Sequence, residues 1–251
     1  MEAQAPHAPW PATTSDWVRF VAGFGLVFAL FQALAYALKS FRGEWGVVIA
    51  AAILAAIALY SVLALRETYR QAVAKLGLAK PTRSGMVWAG AVSGLLLLAI
   101  PAALGDAWSL YAGAGPLAVG IFLQGGVAEE ALFRSYLFGR LRPGRSFRRA
   151  AALSMIPFLV AHLYLPFTME PAIAAASILL SVITAFPLAK LYELGGNTLW
   201  APAVVHFAIQ AGPKLFVPND PKSMFPLVWI AACAVIPFGV FLVRKKQVGA
   251  G

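Results

Sequence analysis

Eight apolar runs, each long enough or nearly long enough to span a bilayer, alternate with short polar segments along the chain. They cover residues 18–38, 46–65, 85–104, 116–138, 149–165, 171–189, 197–212 and 224–243. A helix needs about 20 residues to cross the roughly 30 Å of hydrocarbon in a membrane. The runs at 149–165 and 197–212 are short for a complete crossing. The pattern predicts an all-α integral membrane protein, a bundle of about eight transmembrane helices.

The composition agrees with a membrane protein. Hydrophobic residues make up 61% of the 251 residues, charged residues 12%, and the mean hydropathy is +0.77. Soluble domains are about half apolar and a quarter charged. The net charge of +10 comes from basic residues between apolar runs, where they orient the chain and meet anionic lipid, so we expect no nucleic-acid partner. The single cysteine, Cys233, cannot form an internal disulfide.

The chain is predicted to form one membrane domain after a short tail. Residues 1–16 contain Pro6, Pro9 and Pro11 and predict a flexible polar tail. The first apolar run is longer than a signal-peptide core and lacks a convincing cleavage site, so we expect a retained helix. No linker divides residues 17–251, within which residues 115–212 carry the motifs described below.

Basic residues predict the orientation. With eight crossings and a cytoplasmic N-terminus, the cytoplasmic segments hold Arg66, Arg70, Lys75, Lys80 and Arg83, then Arg140, Arg142, Arg145, Arg148 and Arg149, then Lys190, and finally Arg244, Lys245 and Lys246. The opposite segments hold only Lys39, Arg42, Lys214 and Lys222. This asymmetry follows the positive-inside rule and favours cytoplasmic termini. The compact chain suits a prokaryotic cytoplasmic membrane.

Away from their ends, the apolar runs contain few charged or imidazole side chains: Glu129, Glu130, Arg134, His162 and His206. A charge at bilayer depth costs at least a few kcal/mol and is usually retained for function. Glu130 and Arg134 are four residues apart, so they share a helical face and can form an ion pair. Glu129 is turned about 100° away and is free for another partner. The doublet alone is as consistent with a structural ion pair or a transporter's proton relay as with a catalytic role.

Two histidines favour a catalytic site. Counted from the predicted cytoplasmic ends, Glu129, His162 and His206 lie at depths of about 15, 20 and 14 Å. A carboxylate and imidazoles at similar depth can activate a water molecule. Gln210 follows His206 by one helical turn and adds an amide donor that can stabilise an oxyanion.

These residues form three ordered motifs that resemble those of the CPBP family, which includes CAAX prenyl endopeptidases, bacteriocin-processing enzymes and abortive-infection proteins. The motifs are Glu129-Glu130-x-x-x-Arg134, Phe158-x-x-x-His162 and His206-x-x-x-Gln210. The resemblance extends over about residues 115–212 and includes the stretch from Gly196 to His206. It implies an intramembrane endopeptidase with its active site inside a helical bundle.

The resemblance also implies a role for each residue. Glu129 and His162 would activate the attacking water, and His206 would stabilise the oxyanion. Glu130 and Arg134 would support the site. Gln210 stands where the family usually has Asn or Asp and keeps the amide donor on a longer side chain. The expected substrate is a membrane-associated or lipidated peptide or protein, with no cofactor and no obligate partner beyond the bilayer.

Other residues are expected to serve packing. Phe158 is expected to be a packing residue with no chemical role. Gly125 and Gly126 are expected to permit close helix approach beside the site. The same is expected of Gly90 and Gly94, whose spacing is also common in non-catalytic helix contacts.

Two alternatives remain at this point. One is a zinc-dependent protease of the same family, in which His162, His206 and a glutamate hold the metal. The chain has no His-Glu-x-x-His helix that would fix such ligands locally. The other is a non-catalytic scaffold or a proton-coupled transporter, although the sequence shows no clear paired repeat.

We predict that both termini and the segment from Arg140 to Arg149 are cytoplasmic. Single cysteines placed there, in a chain whose native Cys233 is replaced by serine, should react with an impermeant reagent only from the cytoplasmic side. Cysteines near Lys39 or Lys222 serve as controls for the opposite side. Labelling of the Arg140–Arg149 segment from outside would reverse the orientation.

Overall fold

The computed structural model describes residues 10–38, 42–104, 108–168, 170–220 and 223–243. Over these residues the chain is almost entirely helical. The helices are α1 (Thr14–Ala37), α2 (Arg42–Leu63), α3 (Tyr69–Ala74), α4 (Arg83–Leu104), α5 (Ala114–Leu141), α6 (Phe147–Val160), α7 (Pro171–Leu194), α8 (Trp200–Leu215) and α9 (Phe225–Val235). Short 3₁₀ turns follow α6 at Leu165–Phe167 and α9 at Ile236–Leu242. Strands β1 (Trp108–Leu110) and β2 (Phe216–Pro218) form one antiparallel pair.

The predicted membrane bundle is confirmed. Within the described residues, seven helical segments are long and apolar enough to cross a membrane. The remaining predicted crossing, residues 197–212, corresponds to α8, which has only 16 residues. The run at 149–165 is helical only as far as Val160 and continues as turns to Phe167. Of the two runs that are short in the sequence, one is therefore a helix below the length of a span, and the other completes its span with turns.

Helix α5 is the central helix of the bundle. In its most apolar window 56% of the residues are buried, compared with 22–33% in the other six spans. Every side chain of Ala131–Phe138 is buried. A helix buried on all sides needs partners on all sides, and α5 packs on α2, α6, α8 and α1. Polar groups on α5 are thereby kept away from lipid.

Wide helical turns occur in this central helix. The segments Phe122–Ala128 and Ala131–Phe138 are π-helical, and so is Leu95–Ala99 in α4. Such i→i+5 turns are rare and are often found at functional sites. In α5 they lie on both sides of Glu129 and Glu130.

Glycines let α5 approach α8 closely. A Cβ atom on Gly126 would lie 2.9 Å from the carbonyl oxygen of Ala203, and one on Gly125 would collide with Gln210. The prediction of close helix approach at these two glycines is confirmed. The same prediction for Gly90 and Gly94 is wrong, because a Cβ at either position would meet nothing within 4 Å.

The predicted N-terminal tail is shorter than its expected 1–16. Helix α1 begins at Thr14, because the Thr13 side chain accepts a hydrogen bond from the amide of Asp16, whose carboxylate in turn accepts one from Thr13. Arg145 donates to the carbonyl oxygens of Trp10 and Pro11, which fixes the entry to this helix. Residues 1–9 lie outside the described residues.

Three segments predicted to be cytoplasmic meet at one end of the bundle. Lys75, Arg142 and Asn197, from the segments before α4, α6 and α8, line a common cavity. Of the residues used for the orientation, Lys39, Lys222, Arg244, Lys245 and Lys246 lie outside the described residues. The side of the membrane on which this end lies stays a prediction.

Candidate active site

The predicted ion pair between Glu130 and Arg134 is present on α5. Arg134 Nη1 lies 3.2 Å from Glu130 Oε1, and both side chains are almost fully buried. The guanidinium carbon of Arg134 also lies 4.9 Å from the centre of the Phe158 ring on α6, a cation–π contact. The pair places a negative and a positive charge together in an interior that would accept neither alone.

Glu130 also binds His206, a contact that links α5 to α8. Nδ1 of His206 lies 2.6 Å from Glu130 Oε1. Because an ionised carboxylate only accepts hydrogen bonds, Nδ1 carries the proton. The neutral imidazole then has its lone pair on Nε2. One carboxylate oxygen thus lies against both Arg134 and His206.

Gln210 continues this chain of contacts along α8. Its amide nitrogen lies 2.9 Å from His206 Nε2, and its amide oxygen accepts a hydrogen bond of 2.9 Å from Lys214 Nζ. Lys214 can only donate, so it holds the amide oxygen and directs the NH₂ group to the histidine. Gly125 leaves room for the amide, since a Cβ there would lie 2.5 Å from Gln210 Oε1.

Glu129 is the second carboxylate of the cluster, and it is held more loosely. Its Oε1 lies 3.5 Å from Gln210 Nε2 and its Oε2 lies 3.6 Å from His206 Nε2. These separations are at or beyond the limit of a hydrogen bond. The Glu129 side chain is 16% exposed, whereas that of Glu130 is 0% exposed. Glu130 therefore lies against Nδ1 of His206 in a fully buried position, whereas Glu129 lies near Nε2 of the same ring and is partly exposed.

His162 lies in the turn after α6 and makes other contacts. Its Nδ1 is 2.7 Å from the carbonyl oxygen of Phe158, and its ring packs edge-on against the Phe158 ring at 4.6 Å. The carbonyl fixes the proton on Nδ1 and leaves the lone pair on Nε2. Phe158 is a packing residue, as predicted, and it also contacts Phe133. Among the described residues, no hydrogen bond or ion pair joins His162 to Glu129.

Two contacts were not predicted from the sequence. Spacing within one helix cannot show that Glu130, already assigned to Arg134, also binds His206 on another helix. Lys214 was counted only as a loop charge, although its position one turn after Gln210 places both side chains on one helical face. That spacing is a signal that could have identified it.

The ligands of the alternative zinc site are not gathered in this arrangement. Nδ1 of His206 is bonded to Glu130 and Nδ1 of His162 to the Phe158 carbonyl, so Nε2 is the nitrogen with which each histidine could bind a metal. Within the part of the chain that the structure describes, no three His, Cys, Asp or Glu side chains converge to hold a metal ion.

Comparison with known families identifies the motif-bearing region. Residues 111–212, less than half of the chain, match the model of the Type II CAAX prenyl endopeptidase Rce1-like family. This range includes Glu129, Glu130, Arg134, Phe158, His162, His206 and Gln210, and the match confirms the resemblance predicted from the motifs. The family indicates a protease and supports a CAAX-type intramembrane endopeptidase. No curated protein and no solved structure matches the chain.

We predict that Arg134→Ala destabilises the protein. The substitution leaves the Glu130 carboxylate buried without its cation, which typically costs about 3–5 kcal/mol. Folded yield and the melting temperature in detergent measure the loss.

A double variant identifies the cause of that loss. Glu130→Gln removes the stranded charge and keeps an amide oxygen for His206, so Glu130→Gln/Arg134→Ala should melt at a higher temperature than Arg134→Ala alone. If the double variant is no more stable, the loss does not come from an unpaired carboxylate.

Proposed function

From the family match over residues 111–212, we propose that this protein is an intramembrane endopeptidase that hydrolyses a peptide bond of a membrane-associated or lipidated substrate, with Glu129 as the general base. The observation that carries the proposal is the difference between the two carboxylates. Glu130 is bound by Arg134 and His206, whereas Glu129 lies beside His206 and Gln210 without a short hydrogen bond.

A general base must be able to accept a proton during the reaction. Glu130 is poorly suited, because accepting a proton would weaken its contacts with Arg134 and His206. Glu129 is partly exposed and lies 3.6 Å from His206 Nε2, a looser contact than either of those that hold Glu130. In this proposal Glu130 fixes Arg134 and His206 in place, and Glu129 accepts the proton.

The proposed reaction has two steps. Glu129 removes a proton from a water molecule as the water oxygen bonds to the carbonyl carbon of the substrate. The tetrahedral intermediate then collapses, the C–N bond breaks, and the proton on Glu129 passes to the leaving amine. No proton is gained or lost by the enzyme over the cycle.

The oxyanion of the intermediate needs donors near His206. Gln210 Nε2 is an N–H donor in every protonation state, and Lys214 holds its amide in this orientation. His206 borders the same position, since its Nε2 lies 2.9 Å from the Gln210 amide nitrogen, and Glu130 fixes the ring through Nδ1. Preorganised donors of this kind lower the barrier, since they need no rearrangement as charge develops.

His162 keeps its expected role in this proposal. The Phe158 carbonyl occupies Nδ1, so Nε2 is the nitrogen that can accept a hydrogen bond from the attacking water. The role requires the water to lie between His162 and Glu129 when substrate is bound. His162→Ala would then reduce turnover nearly as much as loss of the base.

We expect Glu129→Gln to abolish hydrolysis without unfolding the protein. Glutamine keeps the size of the side chain and removes its basicity, and general-base catalysis typically contributes about 10²–10⁴ in rate. Purified protein in detergent would be assayed with a prenylated peptide carrying a C-terminal CAAX-type tail. Terminal proteomics of membranes from cells expressing either form would extend the search to other membrane-associated peptides.

The matched control is Glu170→Gln, which makes the same chemical change at the exposed N-cap of α7. It should cleave as the wild type does. Wild-type cleavage by Glu129→Gln would show that the base lies elsewhere, and identical terminal peptides from both membranes would favour the scaffold or transporter.

We expect Gln210→Ala to lower kcat by about 10²–10³, the usual effect of losing one oxyanion donor. Gly125→Ala should lower kcat less, because its Cβ displaces the amide of Gln210 without removing it. Steady-state kinetics measure both effects, and KM should change little. Gln210→Asn, which restores the residue type usual in the family, tests whether the longer side chain is adapted to this site.

Gly115→Ala is the control for the glycine substitution. It lies on the same helix, and a Cβ there meets nothing within 4 Å. If Gly115→Ala and Gly125→Ala have equal kcat values, displacement of Gln210 does not limit the reaction.

A further inference from the structure

A cavity lies apart from the proposed catalytic residues, at the end of the bundle where α5 ends. Its volume is about 480 Å³, within the roughly 300–1,000 Å³ range of small-molecule sites. The polar residues that line it include Lys75, Ser135, Arg140, Arg142 and Asn197, and Trp10 closes part of its rim. None of these residues belongs to the proposed peptidase machinery.

Basic side chains dominate this cavity. Lys75, Arg140 and Arg142 line it, and no carboxylate does. Both Lys75 and Arg140 pair with Glu67: Lys75 Nζ lies 2.7 Å from its Oε1, and Arg140 Nη2 lies 3.1 Å from its Oε2. Arg142 pairs with Glu193. Three lining cations are therefore compensated by two carboxylates behind them, and the potential within the cavity is positive.

Arg140 is the least compensated of the three cations. Its side chain is 2% exposed and its guanidinium carbon lies 4.7 Å from the centre of the Tyr136 ring. Nη2 bonds to Ser61 and Glu67, but Nε and Nη1 have no hydrogen-bond partner among the described residues. A buried charge with unused donors is costly, and a nearby anion would reduce that cost.

We propose that this cavity binds a phosphate group. Arg142 binds Glu193 through Nε and the carbonyl oxygen of Arg145 through Nη1, which leaves Nη2 for a phosphate oxygen, and Lys75 adds a mobile point charge. The cavity joins the segments before α4, α6 and α8 at one end of a membrane bundle, the depth at which lipid headgroups lie. Basic pockets between transmembrane helices are established binding sites for anionic headgroups.

Trp10 forms part of the wall of the site. Arg145 donates to the carbonyl oxygens of Trp10 and Pro11 and so holds Trp10 at the rim. An indole at this level suits the membrane interface. A bound phosphate would therefore contact side chains from the ends of α3 and α5 and would lie close to Trp10.

The full-length protein in nanodiscs tests this proposal. Neutral phosphatidylcholine discs provide the baseline, and the melting temperature is followed as phosphatidylglycerol or inorganic phosphate is titrated. Wild-type protein should be stabilised saturably by at least one of them. Stabilisation by the lipid alone identifies a headgroup as the ligand, and stabilisation by inorganic phosphate in neutral discs identifies a soluble anion.

Charge-removing variants locate the site. Lys75→Gln/Arg142→Gln should weaken the apparent affinity by on the order of fivefold for each charge removed. Lys75→Gln alone gives the single-charge effect if the double variant folds poorly. Arg148→Gln removes an exposed charge at the same end, outside the cavity, and should titrate as the wild type does.

Two results would overturn the proposal. One is a wild-type protein whose melting temperature responds to neither ligand, which would mean that the cavity holds only water. The other is an equal loss of affinity in Arg148→Gln and Lys75→Gln, which would indicate attraction by the whole surface and no particular site.

Discussion

The buried carboxylate of Glu130 is the constraint on which the arrangement of this bundle depends. It is 0% exposed and contacts Arg134 on its own helix and His206 on α8. In a low-dielectric interior, losing either partner would leave an uncompensated charge or an unused acceptor. The rotation of α5 and its register against α8 are therefore restricted to arrangements in which Oε1 of this carboxylate meets both partners.

The same contact explains why small residues lie where these two helices cross. Glu130 and His206 can meet only if the backbones are close, and Gly126 approaches the carbonyl of Ala203 where a Cβ would lie at 2.9 Å. Gly125 then provides the space filled by the amide of Gln210. The family that the motifs resemble usually has Asn or Asp at the position of Gln210. The longer side chain of Gln210 fits here because Gly125 lies opposite its amide and Lys214 binds the amide oxygen.

Hydropathy and spacing predicted the spans and the ion pair because both are local properties. Eight runs became helices, and Glu130 and Arg134 met because residues four apart share a face even in a widened helix. Contacts between helices depend on rotation and register, which local patterns do not encode. The Glu130–His206 bond was therefore missed, and the small-residue spacing of Gly90 and Gly94 was misinterpreted as a packing face. His162 was placed in a helix, whereas α6 ends at Val160.

Arg134 and Arg140 are two buried cations of α5 whose charges are compensated in different ways. Both guanidinium groups lie over aromatic rings, Phe158 and Tyr136, and both retain nitrogens without hydrogen-bond partners among the described residues. Arg134 has its carboxylate one turn away on α5, so its charge is neutralised where the helix is most tightly packed. Arg140 depends on Glu67, which it shares with Lys75, and it borders an open cavity. The first cation is enclosed beside Glu130 and His206, whereas the second remains within the electrostatic reach of an external anion. Because both lie on α5, any ligand that orders its Arg140 end also stabilises the helix that carries Glu129 and Glu130.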